Sequence, residues 1–297
     1  TKHNMHLMDD TYTYNQNHPG FKEHLVKRGI RLQRIIQIIS DITDQPLNNL
    51  RVLDLACLEG LYGIELARHG AEVIGIEGRE ANVVKARFAK DVLALDNITF
   101  MQDDVRNLSV EKYGRFDVVL CLGILYHLDA PDVFHFVERM SDVCKRVTII
   151  DTHVGINANK SYIYQGQEYH GWSYTEHSSK STKEERLKSL RTSLDNEKSF
   201  WLTRPSLFNL LSRAGFTSVY TCQNPAVLTQ RMDRDTLVAV KGTRHKLFST
   251  PIVNSLLDEL WPEERQIGIH PSQRTNLGFK LREIPRRMRN LARRILG

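Results

Sequence analysis

The sequence is short of the features that mark several large classes of protein. Nowhere in its 297 residues does an apolar run approach the roughly 18 residues that a membrane span requires. The polar segment from Thr1 to Asn17 has no apolar stretch of signal-peptide type. A soluble, unsecreted, cytoplasmic protein is expected. Only four cysteines occur, Cys57, Cys121, Cys144 and Cys222, and they form neither a C-x-x-C pair nor a zinc-ligand pattern. Reduced thiols are expected rather than a disulfide framework. There is no internal repeat, and a 41% hydrophobic content argues against wholesale disorder. The body also lacks net charge. Between Lys280 and Gly297 stand seven basic residues and one acid, which account for the whole net charge of +6, so residues 1–279 sum to zero. Long-range attraction to an anionic partner therefore belongs to the tail.

What is present is an alternation. Residues 20–42 repeat apolar positions at helical spacing, predicting one or two N-terminal helices. Val52–Leu55 reads as a short strand, Leu61–His69 as a helix closed by Gly70, Glu72–Glu77 as a strand and Arg79–Val92 as a helix. Ile98–Gln102 and the almost continuously apolar Phe116–Leu122 follow as strands, then a helix over Asp132–Val143 and a strand over Arg146–Asp151. Such alternation predicts a doubly wound, Rossmann-like α/β fold with a mostly parallel sheet that binds its ligand at the carboxyl ends of the strands. Residues 152–199, polar and dotted with aromatics, read as an insert or lid over that edge. Beyond it a helix is expected over Pro205–Ala214, with strands over Phe216–Cys222 and Thr236–Val240.

The first strand runs into Asp54-Leu55-Ala56-Cys57-Leu58-Glu59-Gly60, and the second ends in Glu77. A carboxylate about 20 residues beyond a strand-to-helix turn is where doubly wound nucleotide sites grip a ribose diol. The turn retains only Gly60, whereas a pyrophosphate needs several glycines for close backbone approach. A nucleoside without phosphates makes no such demand. Asp54 can then face an amino acid moiety, and Asp104, after the third strand, an adenine amino group. Taken singly, Asp54 is equally suited to capping the following helix, and Cys57 to packing.

Asp54 to Gly60, Glu77, Asp104 and Phe116 to His127 resemble the successive motifs of the class I S-adenosylmethionine-dependent methyltransferases. The resemblance spans roughly residues 50–242 and implies a seven-stranded sheet and S-adenosyl-L-methionine as cofactor. Gly123-Ile124-Leu125-Tyr126-His127, Phe200 to Pro205 and Ala214-Gly215-Phe216 are similar to a subgroup that includes the enzymes completing 5-oxy-uridine at the tRNA wobble position. That subgroup also has relatives in glycan and natural-product pathways. With these motifs, cofactor contacts are expected from Asp54, Ala56, Cys57, Glu59, Gly60, Glu77, Gly78, Asp104, Val105 and Leu122. Ala56 and Leu58 stand where the family has glycines, so the loop is expected to take a different path.

The chain then divides into an N-terminal helical region (1–49), a methyltransferase domain (50–242) and a C-terminal extension (243–297) with a basic amphipathic helix carrying Met288, Leu291 and Ile295. Methyl transfer to a hydroxyl or amine must also remove a proton, and His127 and His153 follow the fourth and fifth strands as candidate bases. Asp151 and His153 supply two potential metal ligands without a third, so no metal is assigned. Tyr162, Tyr164, Tyr169, His170, Trp172, Tyr174 and His177 are expected to line an acceptor pocket in the insert, with Trp201 beneath. The reading is an O- or N-methyltransferase of a small molecule or glycan. Alternatives are a tRNA wobble-uridine methyltransferase and a non-catalytic S-adenosylmethionine-binding scaffold. The tail suits a terminal helix docked on the body with a solvated basic face, an anionic membrane surface, as a peripheral attachment, or RNA.

Overall fold

The structure, a computed structural model, describes residues 21–189, 192–222 and 232–243, with the side chains of residues 21–28 outside the description. The C-terminal extension and its basic helix therefore lie outside the described residues. Helix α1 (Phe21–Thr43) leads into β1 (Arg51–Leu55), α2 (Leu61–Arg68), β2 (Glu72–Glu77), α3 (Glu80–Val92) and β3 (Ile98–Gln102). A short α4 (Val110–Tyr113) precedes β4 (Phe116–Leu122), α5 (Asp132–Val143) and β5 (Cys144–His153). Next come β6 (Lys160–Tyr164), β7 (Gln167–Thr175), α6 (Lys183–Lys188), β8 (Lys198–Leu202), α7 (Arg204–Arg213), β9 (Ser218–Cys222) and β10 (Arg234–Val240).

Seven strands form one sheet in the order β3-β2-β1-β4-β5-β10-β9, parallel from β3 to β5, with β10 antiparallel to both neighbours. The strand order reverses between β1 and β4, so a crevice opens at their carboxyl ends. Alternating side chains feed two cores. Leu53, Leu55, Val119 and Cys121 face Phe134, Met140 and Leu211 of α5 and α7. Val52, Val118 and Leu120 face the other layer, with Ile35 and Ile39 of α1, Leu66 of α2 and Ala86 of α3. The N-terminal helix is thus part of the same core as the sheet.

Two expectations change. Strand β5 continues past Asp151 to His153, because β10 begins at Arg234 and pairs Arg234 with His153. The insert is no irregular loop: β6, β7 and β8 form a three-stranded antiparallel sheet. It is bonded to the body where Phe200 N–H donates to Leu128 O (2.9 Å) and Gly155 N–H to Leu202 O (3.0 Å). Gly171 is obligatory in it, since a Cβ there would meet the Phe200 ring at 2.6 Å.

Candidate active site

The β1–α2 turn follows the path that glycines would give it, contrary to the detour expected from its sequence. Ala56 and Leu58 both adopt left-handed backbone (φ 50° and 51°), as does Gly60 (φ 86°). Each non-glycine residue costs about 1–2 kcal/mol there, and local hydrogen bonds offset it. Cys57 N–H donates to Ile76 O (3.0 Å), and Leu58 N–H donates to Glu77 Oε2 (3.0 Å). The Cys57 thiol is buried, and burial pushes its pKa well up, which suits packing rather than nucleophilic chemistry. Glu59 is tied to α3 by an ion pair with Lys85 at 2.5 Å.

Asp54 is 2% exposed, and its Oδ2 accepts from Gly63 N–H (3.0 Å) in the first turn of α2. It therefore fills the capping role. Burial, reinforced by the nearby Glu77 charge, lifts its carboxyl to about 7 despite that bond. Glu77 is equally buried. Its Oε1 accepts from Arg79 N–H (2.8 Å) and its Oε2 from Leu58, while burial raises its pKa against these bonds and the Arg79 charge. Beside it, the side chain of the buried Asn82 also favours the charged form of Glu77. Leu194 of the insert packs over Gly78 so closely that a Cβ has no room.

Asp104 already has partners within the protein. It caps the turn at Val105–Asn107 and holds the Arg106 guanidinium (2.6–3.1 Å), which reaches on to Asp195 of the insert at 2.6 Å. Asp103 instead serves the scaffold: partial burial is outweighed by hydrogen bonds from Asn107, Lys112 and Tyr113, which hold its carboxyl at about 2. Arg79 is caged by backbone oxygens of the segment after β7, donating to Leu187, Ser189, Thr192 and Ser193 (2.8–3.3 Å). The insert thus touches both the Glu77 and the Asp104 sides of the crevice.

Two histidine–carboxylate pairs flank Tyr126 at the ends of β4 and β5. His127 Nδ1 lies 3.0 Å from both oxygens of Glu176, which follows β7. His153 Nδ1 lies 3.1 Å from Asp233 Oδ2, and the His153 ring stacks on Trp201 (4.7 Å, 18°). Asp151, considered above as a metal ligand, is spent on Arg31 of α1 (3.1 Å), Arg234 (2.6 Å) and Thr236 (3.0 Å). Burial opposes its charge, but the two guanidiniums outweigh that and hold its pKa below the ordinary carboxylate value. Leu122 closes β4 in register with Asp151. The aromatic residues of the insert mostly fasten it to the body, contrary to the lining role expected: Tyr162, Tyr164 and Tyr169 pack around Phe134, and Tyr174 stacks on Trp201. His177 donates from Nε2 to Ser193 O (2.8 Å).

Sequence reasoning missed Glu176, Asp233, Arg31, Arg79, Arg106 and Arg234. Glu176 alone had a local signal, a carboxylate closing the alternating Tyr169–Thr175 run, and nothing in that run pointed to His127.

Residues 52–146 match the family described as "Methyltransferase domain". The "Ubiquinone biosynthesis O-methyltransferase" of Acinetobacter baumannii (strain AYE) is 34% identical over 125 residues, 40% of this chain and 50% of that protein. Its namesake from Pelagibacter ubique (strain HTCC1062) is 29% identical over 43% of this chain and 52% of its own length. The chain spans about half the length of these curated relatives. Among solved structures, the N-terminal domain of EvdMO1 with SAH bound is 25% identical, with a TM-score of 0.57 over 71% of this chain and 81% of that one. Magnesium protoporphyrin IX methyltransferase (ChlM) from Synechocystis PCC 6803 with bound SAM is 21% identical, with a TM-score of 0.50 over 77% and 86%, and speaks for the fold alone.

Proposed function

We propose, from the premise that the chain is built around a class I S-adenosylmethionine-dependent methyltransferase domain, that it methylates a hydroxyl or amine of a small molecule or glycan. The observation carrying this is the set Asp54 in β1, Glu77 at the end of β2 and Asp104 just after β3, beside a turn (56–60) that itself carries no basic residue. Such a site suits a cationic, hydroxyl-bearing nucleoside and not a polyphosphate.

When bound, S-adenosylmethionine supplies a methyl on a sulfonium, and transfer to the acceptor leaves the C–S electron pair on sulfur. Glu77 accepts from the ribose, Asp104 serves the adenine side with Arg106 fixing its carboxylate, and Asp54 with the Gly60 turn faces the amino acid moiety. Ala56, Cys57, Glu59, Gly78, Val105 and Leu122 complete the walls. His127 takes the acceptor proton. The relatives named for ubiquinone biosynthesis O-methylation support a small-molecule hydroxyl as acceptor.

Calorimetry with S-adenosylhomocysteine tests the site. Glu77→Ala removes charge-assisted hydrogen bonds worth about 1.5–3 kcal/mol, so affinity is expected to fall roughly ten- to hundredfold. Unchanged affinity overturns the assignment. Labelled donor offered to a small-molecule extract and to total tRNA then identifies the acceptor class, and label in tRNA overturns the small-molecule reading. Among the described residues no helix is long and apolar enough to cross a membrane. The basic tail is the proposed contact with an anionic membrane surface, and truncation after Leu277 is expected to abolish salt-sensitive binding to anionic vesicles. Loss of tRNA binding instead assigns the tail to RNA.

A further inference from the structure

We propose that Glu176, supplied by the insert, is the positioning residue that makes His127 the general base, and that His153 is not a base at all. The inference rests on the methyltransferase reading above. It starts from the difference between the two histidine–carboxylate pairs at their far nitrogens. His153 Nε2 faces Arg234 Nη1 at 3.5 Å, and its ring is enclosed by Trp201 on one face and the edge of Tyr126 (4.7 Å). An arginine N–H can only donate, so Arg234 stands in front of the His153 Nε2 lone pair where an acceptor hydroxyl would have to come. His127 makes its hydrogen bonds through Nδ1, which lies 3.0 Å from both Glu176 oxygens. Among the described residues, the ion pair of its ring is with Glu176 and not with an Arg or Lys side chain.

The direction of hydrogen bonding around Glu176 decides the tautomer of His127. Trp201 Nε1–H, a donor only, donates to Ser199 Oγ (3.1 Å). Ser199 in turn donates its hydroxyl hydrogen to Glu176 Oε1 (2.8 Å), and Ser193 N–H donates to Oε2 (3.1 Å). The side chain of Glu176 is fully buried, and its named neighbours offer donors only. His127 Nδ1 must therefore donate as well, which leaves the lone pair on Nε2. In the reaction the acceptor hydroxyl passes its proton to Nε2 as its oxygen takes the methyl, Glu176 stabilises the imidazolium so formed, and the proton leaves to water after product release. The chemistry is completed by a residue 49 positions away, just beyond the end of a strand of the separate three-stranded sheet.

Nitrogen-15 NMR of the histidines in the full chain saturated with S-adenosylhomocysteine reads the tautomer directly. Wild type is expected to carry hydrogen on His127 Nδ1 and a bare Nε2. In Glu176→Gln the amide presents both an oxygen and an NH2 to Nδ1, because Ser193 N–H cannot reverse, so the share of Nε2–H tautomer rises. With labelled S-adenosylmethionine and a small-molecule extract, Glu176→Gln is expected to lower kcat ten- to a hundredfold, with KM and the affinity for S-adenosylhomocysteine within about twofold. Combined with His127→Ala it should lower kcat no further than His127→Ala alone, whereas a merely structural role multiplies the two losses. Glu176→Asp, which retains the carboxylate, should recover part of the rate. A wild-type His127 protonated on Nε2, or multiplicative losses in the double variant, overturns the proposal. If wild type does not bind S-adenosylhomocysteine, the methyltransferase reading itself has failed; if it binds and the tautomer is wrong, only this inference has.

Discussion

Replacing Asp54 by asparagine should stabilise the cofactor-free protein while weakening its grip on the cofactor. The carboxyl is buried and lifted from 3.8 to about 7, so the folded protein holds a proton there that the unfolded chain has released. Between those two values the native state binds more protons, and stability falls as pH rises through the window. At about 1.4 kcal/mol per unit, the full shift amounts to roughly 4 kcal/mol, of which about 3 accumulates between pH 5 and pH 8. Asparagine keeps an oxygen for Gly63 N–H and carries no charge at any pH. The difference in unfolding free energy between variant and wild type should therefore grow in the variant's favour by roughly 3 kcal/mol from pH 5 to pH 8, raising its relative melting temperature by about 5 °C or more. The cofactor's ammonium favours ionised Asp54, so wild-type affinity should decline towards tenfold per pH unit below 7 and the variant's should not. Thermal scans and calorimetry at both pH values suffice. A variant destabilised equally at pH 5 and pH 8, with affinity as pH-dependent as wild type, would refute the reasoning.

Arg234→Met leaves the buried Asp151 with one of its two guanidiniums, at an expected cost of about 3 kcal/mol by chemical denaturation. Adding Asp151→Asn should recover most of that. Because pairing depresses the Asp151 pKa, its contribution is present above the unfolded value and lost as pH falls, so wild type and Arg234→Met should converge below about pH 4. At the left-handed Leu58, glycine relieves strain and should change stability by about 1 kcal/mol or less, whereas Leu58→Val, β-branched at φ 51°, should cost about 1–3 kcal/mol. Equal melting temperatures for the two variants would mean that this backbone strain is not felt.

The framework was legible where burial writes a local pattern. Glu72–Glu77, Ile98–Gln102, Phe116–Leu122 and Asp132–Val143 have the bounds expected from apolar runs and periodicity. The insert was not, because the rings of β6 to β8 pack on residues distant in sequence such as Phe134 and His153, and aromatic and polar residues alternate without a long apolar run. The carboxylates Glu77 and Asp104 stood out in the sequence because they end or follow a strand, and Asp54 because it lies one residue short of the end of β1. The partners of His127 and His153 could not, since Glu176 and Asp233 stand 49 and 80 positions away and meet them only through folding. At Ala56 and Leu58 local φ preference pointed one way, and the bonds to Ile76 and Glu77 prevailed.

The shared claim of Arg31 and Arg234 on Asp151 has an evolutionary consequence. The helix that precedes the sheet and the sheet's own strand β10 each bring a positive charge to a carboxylate on β5, so three distant positions bear a joint selective constraint. Homologues with an aliphatic residue at position 31 or 234 are expected to carry Asn, Ser or Thr at 151. Chimaeras that exchange the N-terminal helix between relatives should fold well only when the residue at 151 travels with it.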